Sequence, residues 1–265
     1  MKHNEFDNEE KYKLYRNVKD LLHPTISKKN ISNYRIIIND DLLPLRVFYP
    51  KKVTNMQNVM IYIHGESKIT GCDKNYSDIS ANFAKEFDHL IISIDYDNYN
   101  KTLKEVSIKI YDTIKKIYKE LISIGINNKN IILVGDSTAA TIILNMTKKM
   151  NKENIEFGKY ILFYPPVSGK YSQTNDNYDA SIFKNLSLYY KGQKKDYFPM
   201  YQTSISYPET LILCGNVDPL LNEISEFSNK FNLTLKTIQF AYHGFLNSKD
   251  KEIIEECIRE ITEFI

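Results

Sequence analysis

Four short apolar runs, VMIYI (59–63), LIISI (90–94), IILVG (131–135) and YILFY (160–164), leave this chain few ways to fold. Each is rich in β-branched and aromatic side chains and apolar at nearly every position rather than at alternate ones, so each reads as a strand buried on both faces. Segments with helical spacing lie between them, at 76–87, 103–124 and 138–150. Parallel neighbours in a sheet need a long crossover connection, and a helix is the usual one. The alternation therefore predicts an α/β chain with a doubly wound, mostly parallel sheet flanked by helices.

Both flanks extend this pattern. YRIIIN (34–39) and LRVFYP (45–50), separated by Asp40-Asp41, read as two adjacent strands of a hairpin. Towards the end, TLILC (210–214), a helix over 220–231, LTLKTIQF (233–240) and a last helix from Lys249 bring the sheet to about eight strands. Residues 168–207 break the rhythm, being rich in Tyr, Asn, Lys and Ser with one short helical candidate at 181–190. Such a stretch is either a lid or a surface excursion, and Tyr171, Tyr178, Phe183, Tyr189 and Tyr190 favour an ordered lid.

Composition narrows the function classes. At 265 residues the chain suits one α/β domain, and 42% hydrophobic with 26% charged residues is ordinary for a globular protein. A formal charge of +2, from 35 basic and 33 acidic side chains, gives no basic stripe for nucleic acid. Neither a signal peptide nor a membrane span is visible. Cys72, Cys214 and Cys257 are odd in number and widely spaced, which fits neither a disulfide framework nor a paired zinc motif and leads to the expectation of a cytoplasmic protein. Nothing in the sequence specifies an oligomeric state.

The residues that carry chemistry follow the strands. Gly135-Asp136-Ser137-Thr138-Ala139 lies between a buried strand and a helix, where a strained turn lifts a serine hydroxyl above the sheet. Small residues at the first and fifth positions, here Gly135 and Ala139, let strand and helix pass close together. A serine hydroxyl is a weak nucleophile and needs a base, which in turn needs a group to orient it. His243 in AYHGF, after the last strand, is the candidate base, and Asp218 in GNVDPL, after TLILC, is the candidate acid. Each has an ordinary structural use as well: a strand ending in Gly before a polar helix start is common, Asp before Pro often caps a helix, and a loop histidine is often only a surface residue. The order Ser137, Asp218, His243, each after a separate strand, favours one catalytic site. For the oxyanion of an acyl transfer, the candidate donors are the amides of Glu66 and Ser67, in the His64-Gly65-Glu66-Ser67 loop, and of Thr138. His64 and Gly65 are taken as supports of that loop.

With these residues assembled, the chain resembles the hormone-sensitive-lipase-like family of α/β hydrolases, which includes bacterial carboxylesterases and acetyl esterases. The likeness runs from about Val59 to Phe245: IYIHGESKITG is similar to the family's strand and HGGG loop, IISIDYDN to its next strand, and GINNKNIILVGDSTAA to the nucleophile turn. YILFYPP is similar to the strand before the cap insertion, and TLILCGNVDPLLNE and YHGF to the acid and base segments. The resemblance implies an α/β-hydrolase fold, a Ser137-His243-Asp218 triad, a small-molecule ester substrate, no metal or organic cofactor, and a cap built from residues 1–30 and 168–207. Two departures stand out: HGES replaces HGGG, and GDSTAA replaces the usual GDSAGG. The expected function is hydrolysis of short-acyl esters. The alternative, motivated by HGES, is a catalytically weak or inactive scaffold that binds or senses a small molecule.

Overall fold

A computed structural model describes residues 34–37, 42–49, 57–65, 75–96, 101–170, 177–248 and 250–265. The chain order is β1 (Tyr34–Ile37), β2 (Leu45–Phe48), β3 (Val59–Ile63), α1 (Asn75–Phe87), β4 (Leu90–Ile94), α2 (Leu103–Ser123), β5 (Ile131–Asp136) and α3 (Ser137–Lys152). It continues with β6 (Lys159–Phe163), α4 (Asn177–Tyr189), β7 (Glu209–Gly215), α5 (Leu221–Phe231), β8 (Thr234–Ile238) and α6 (Lys251–Phe264). The strands form one eight-stranded sheet in the order β1-β2-β4-β3-β5-β6-β7-β8. Pairings of β2 with β1 and β4 are antiparallel, and all others are parallel.

The burial follows from the sequence pattern. Every residue of β3, β4 and β5 is buried, as uninterrupted apolar runs in the centre of a two-sided sheet require. β8, with the alternating sequence TLKTI, is an edge strand and mostly exposed, and its Lys236 pairs with Glu260 of α6 at 2.8 Å. Helix ends carry ordinary chemistry: Thr102 and Glu105 form a reciprocal cap on α2, and Asn232 ends α5 in the left-handed region. The last helix begins at Lys251 rather than Lys249, because the Asp250 side chain accepts the Glu252 amide and so stands as the cap outside it. β8 is also shorter than the apolar run suggested. Phe240 turns into the left-handed region at φ 55° and leaves the strand direction.

The insertion is ordered where it is described. α4 starts at Asn177, a turn before the expected helix, and two 3-10 turns, Lys195–Tyr197 and Pro199–Tyr201, follow it. Leu186, Tyr190 and Phe198 join the core. Gln202 donates to Asn145 of α3 at 2.7 Å, Asn151 of α3 to the Ser206 carbonyl at 2.8 Å, and Lys230 of α5 to the Met200 carbonyl at 2.6 Å. The other expected cap segment, residues 1–30, and the Asp40-Asp41 turn lie outside the described residues, as does Tyr171. Among the described residues no helix is long and apolar enough to cross a membrane.

The topology also marks where a ligand can enter. From β3 the chain moves outward to β4, and the next crossover returns it to the other side of β3 as β5. The connections leaving the carboxyl ends of β3 and β5 therefore diverge, and a crevice opens between them. Phe227 of α5 tests the packing of the insertion's return, since it is fully buried against Tyr207 and Phe231. Phe227→Ala is expected to lower the stability read from urea unfolding by about 3–5 kcal/mol.

Candidate active site

β5 and α3 meet in a turn with no spare room. A Cβ on Gly135 would lie 2.5 Å from Ile143 Cδ1 and 3.2 Å from the Ala140 amide nitrogen, so glycine is what allows the strand to pass into the helix here. Ser137, the first residue of α3, adopts φ 49°, a left-handed conformation that costs a non-glycine residue roughly 1–2 kcal/mol. The strain is held by a buried strand on one side and a buried helix on the other, and Ser137 itself is partly exposed.

The two remaining members of the expected triad arrive from the far edge of the sheet. Ser137 Oγ lies 3.0 Å from His243 Nε2, and His243 Nδ1 lies 2.9 Å from Asp218 Oδ2. Asp218 Oδ1 accepts the Leu220 amide at 2.9 Å, so one oxygen of the carboxylate holds the turn before α5 and the other faces the imidazole. The Asp218 side chain is fully screened from solvent and that of His243 is 10% exposed, which keeps their interaction largely out of water. Backbone bonds hold the two loops together: the Asn216 amide donates to Ile238 at 2.9 Å and the Val217 amide to Ala241 at 3.3 Å. The Tyr164 ring packs against the His243 imidazole at 4.8 Å, from a backbone itself at φ 38°.

At the end of β3, His64 is buried between the rings of Tyr76 and Tyr96, at 4.8 and 4.5 Å, and its carbonyl accepts the Tyr96 hydroxyl at 2.7 Å. It props the loop. Gly65 touches the turn that carries Ser137 so closely that a Cβ would lie 2.6 Å from the Asp136 carbonyl oxygen and 3.0 Å from Ser137 Cβ. Thr138 is buried in the first turn of α3, where backbone amides point out of the helix end. Glu66 and Ser67 lie outside the described residues.

Sequence reasoning missed two carboxylates. Asp136 stands at the N-cap of α3 but makes no side-chain cap bond. Its Oδ1 accepts both the Gly65 amide and the Tyr62 hydroxyl, each at 2.7 Å. Burial pushes its pKa up to about 6, against the lowering effect of these donors and of His243, and burial followed by the Asp136 charge holds the Tyr62 phenol well above its usual value. A tyrosine inside an otherwise aliphatic strand run was the available signal, since a buried phenol needs a partner. Glu223 of α5 accepts the Val167 amide at 2.7 Å and the Ser168 hydroxyl, tying the root of the insertion to the helix that follows Asp218. Burial, the largest influence, raises its pKa.

The arrangement can move a proton. Ser137 can donate to Nε2 while Nδ1–H donates to Asp218, which fixes one tautomer and aims the imidazole. Among the described residues no group of three His, Cys, Asp or Glu side chains converges to hold a metal ion.

Comparison with known proteins agrees with this architecture. A family model described as the α/β-hydrolase fold matches residues 60–246. A protein of Acanthamoeba polyphaga mimivirus named as an α/β hydrolase is 22% identical over 77% of this chain, and the aligned region spans 64% of that relative's length. An esterase of the archaeon Pyrobaculum calidifontis superposes with a TM-score of 0.77 at 16% identity, covering 96% of this chain and 88% of its own. A thermostable carboxylesterase cloned from a metagenomic library gives 0.76 at 17% identity, covering 96% and 95%. At such identities the likeness establishes a shared fold.

Two outcomes follow from the geometry. In protein labelled with nitrogen-15 at histidine, the His243 Nδ1–H is expected to give a far-downfield proton resonance that disappears in Asp218→Ala. Asp136 carries a linkage effect: its pKa is raised on folding from 3.8 to about 6, so its contribution favours folding below the lower value and is lost as pH rises through the higher one. Asp136→Asn, which cannot ionise, should therefore be more stable than the wild type to urea at pH 8 by about 1–3 kcal/mol, with the difference closing towards pH 4.

Proposed function

Because this chain belongs to the α/β-hydrolase-fold family, in its hormone-sensitive-lipase-like branch, we propose that it is a serine carboxylic ester hydrolase acting on small, short-acyl esters. The observation that carries this reading is the unbroken hydrogen-bonded series Ser137, His243, Asp218, at 3.0 and 2.9 Å.

In the proposed reaction His243 takes the Ser137 proton as Oγ attacks the ester carbonyl carbon, and Asp218 stabilises the imidazolium that forms. The carbonyl oxygen becomes an oxyanion that the Thr138 amide and amides of the segment following Gly65 receive. Collapse of this intermediate breaks the bond to the alkoxy group. His243 returns the proton to the departing alcohol, leaving an acyl group on Ser137, and a water activated by the same imidazole then releases the acid. In the loop after β3, HGES puts Glu66 and Ser67 where the family has glycine, so turnover also reports whether those residues serve as donors.

Residues 168–207 are the proposed cap, with residues 1–30 as its second element. Tyr190 and Phe198 pack with the core and Tyr189 and Tyr197 against it, an aromatic arrangement suited to a small apolar acyl pocket. A reducing cytoplasm is the proposed location, in keeping with the free, buried thiols of Cys214 and Cys257.

The test is hydrolysis of p-nitrophenyl acetate, butyrate and palmitate by the wild type beside Ser137→Ala. Turnover of the short esters, weak turnover of palmitate, and a loss of roughly 10⁴-fold or more in the variant are expected. Folded wild type no faster than Ser137→Ala on any ester would replace the esterase reading with that of a binding scaffold.

A further inference from the structure

Glu223 lies in the first turn of α5, where a glutamate ordinarily reaches back to the amide of the residue that caps its own helix. That amide, of Leu220, is already taken by Asp218 Oδ1. Glu223 turns to the insertion instead: Oε1 accepts the Val167 amide at 2.7 Å and the Ser168 amide at 3.3 Å, and Oε2 accepts the Ser168 hydroxyl. Phe227, Lys230 and Phe231 follow Glu223 at helical spacing and carry one face of α5 along the same insertion. Lys230 donates to the Met200 carbonyl at 2.6 Å, and both phenyl rings pack against Tyr207, where the insertion returns to the sheet.

We propose that Glu223 is a specificity-determining positioning residue, a reading that rests on the hydrolysis inferred above: by pinning Val167 and Ser168 it fixes the wall against which the acyl chain lies, and so the chain length accepted. That wall is the strap of residues 164–168. At its start the Tyr164 ring lies 4.8 Å from the His243 imidazole. In its middle the Pro166 carbonyl accepts the hydroxyl of Thr141, about one turn along α3 from Ser137, at 2.6 Å. Its end rests on Glu223. The strap is thus strung between the helix of the nucleophile and the helix that follows the acid. Just beyond it Gly169 turns at φ 69°, where a Cβ would lie 2.3 Å from Phe198, and the Met200 amide returns to the Val167 carbonyl at 3.0 Å. Val167 is fully buried, so the strap shifts only by displacing packed neighbours while it is pinned. Removing the carboxylate leaves two amides and a hydroxyl in need of new partners, which favours movement of the strap away from α5.

The test compares wild type, Glu223→Ala and Glu223→Gln on p-nitrophenyl acetate, butyrate and octanoate, with Ser137→Ala alongside. The quantity read is the ratio of kcat/KM on octanoate to that on acetate, which a uniform loss of folded enzyme does not change. Glutamine keeps an oxygen for the two amides and an NH2 group that can donate to the Ser168 hydroxyl, and alanine keeps neither. The ratio is expected to rise about tenfold in Glu223→Ala and to stay within about threefold of wild type in Glu223→Gln. Ser168→Ala, which removes one of the three bonds, should shift the ratio the same way by about threefold, and it stands in for Glu223→Ala if that variant does not fold. Serine-dependent turnover with an unchanged ratio in the alanine variants, or a glutamine variant shifted as far as Glu223→Ala, overturns the proposal and leaves the esterase reading intact. Wild type as inactive as Ser137→Ala on every ester overturns the esterase reading, and this proposal with it.

Discussion

The close passage of β5 into α3 is the constraint on which the site depends. Gly135 leaves no space for a side chain, and the chain can turn into the helix there only by placing Ser137 at positive φ. An isolated peptide would relax that angle. Here it cannot, because β5 is hydrogen-bonded on both sides, to β3 and β6, and the buried face of α3 packs onto the sheet. The strain is small beside the burial that enforces it, so the backbone that carries the hydroxyl is held in place by packing.

Around this fixed point the other functional groups come from loops at the carboxyl edge. β7 and β8 each end in a loop, and backbone hydrogen bonds from Asn216 and Val217 to the carbonyls of Ile238 and Ala241 set Asp218 and His243 relative to one another. The end of β3, at Gly65, packs closely against Asp136 and Ser137 as well. The site is thus assembled from four strand ends, those of β3, β5, β7 and β8, whose spacing is set by the ladder, with small adjustments left to side chains.

The buried carboxylates divide the labour by environment. Asp218 spends one oxygen on the backbone of its own turn and the other on the imidazole. Asp136 spends one oxygen on the neighbouring loop, and burial raises its pKa. Glu223, farther out, holds the root of the insertion through Val167 and Ser168. Each acid joins two segments distant in sequence. Buried polar groups of this kind are satisfied only when the whole sheet is in register, which makes them reporters of the native arrangement.

The sequence by itself determined the sheet and the order of its chemistry. Uninterrupted apolar runs cannot be solvated on either face, and helical spacing between them forces parallel neighbours, so the strand set and the positions of Ser137, Asp218 and His243 at strand ends were legible. Helix limits were less so, as at Asp250, because a cap is decided by which side chain reaches an amide. Tertiary structure alone decided that Asp136 faces the loop rather than its own helix, that Asp218 serves two partners at once, and that residues 195–201 form two tight turns. Those outcomes depend on distances between segments far apart in the chain, and no local pattern of residue types encodes a distance of that kind.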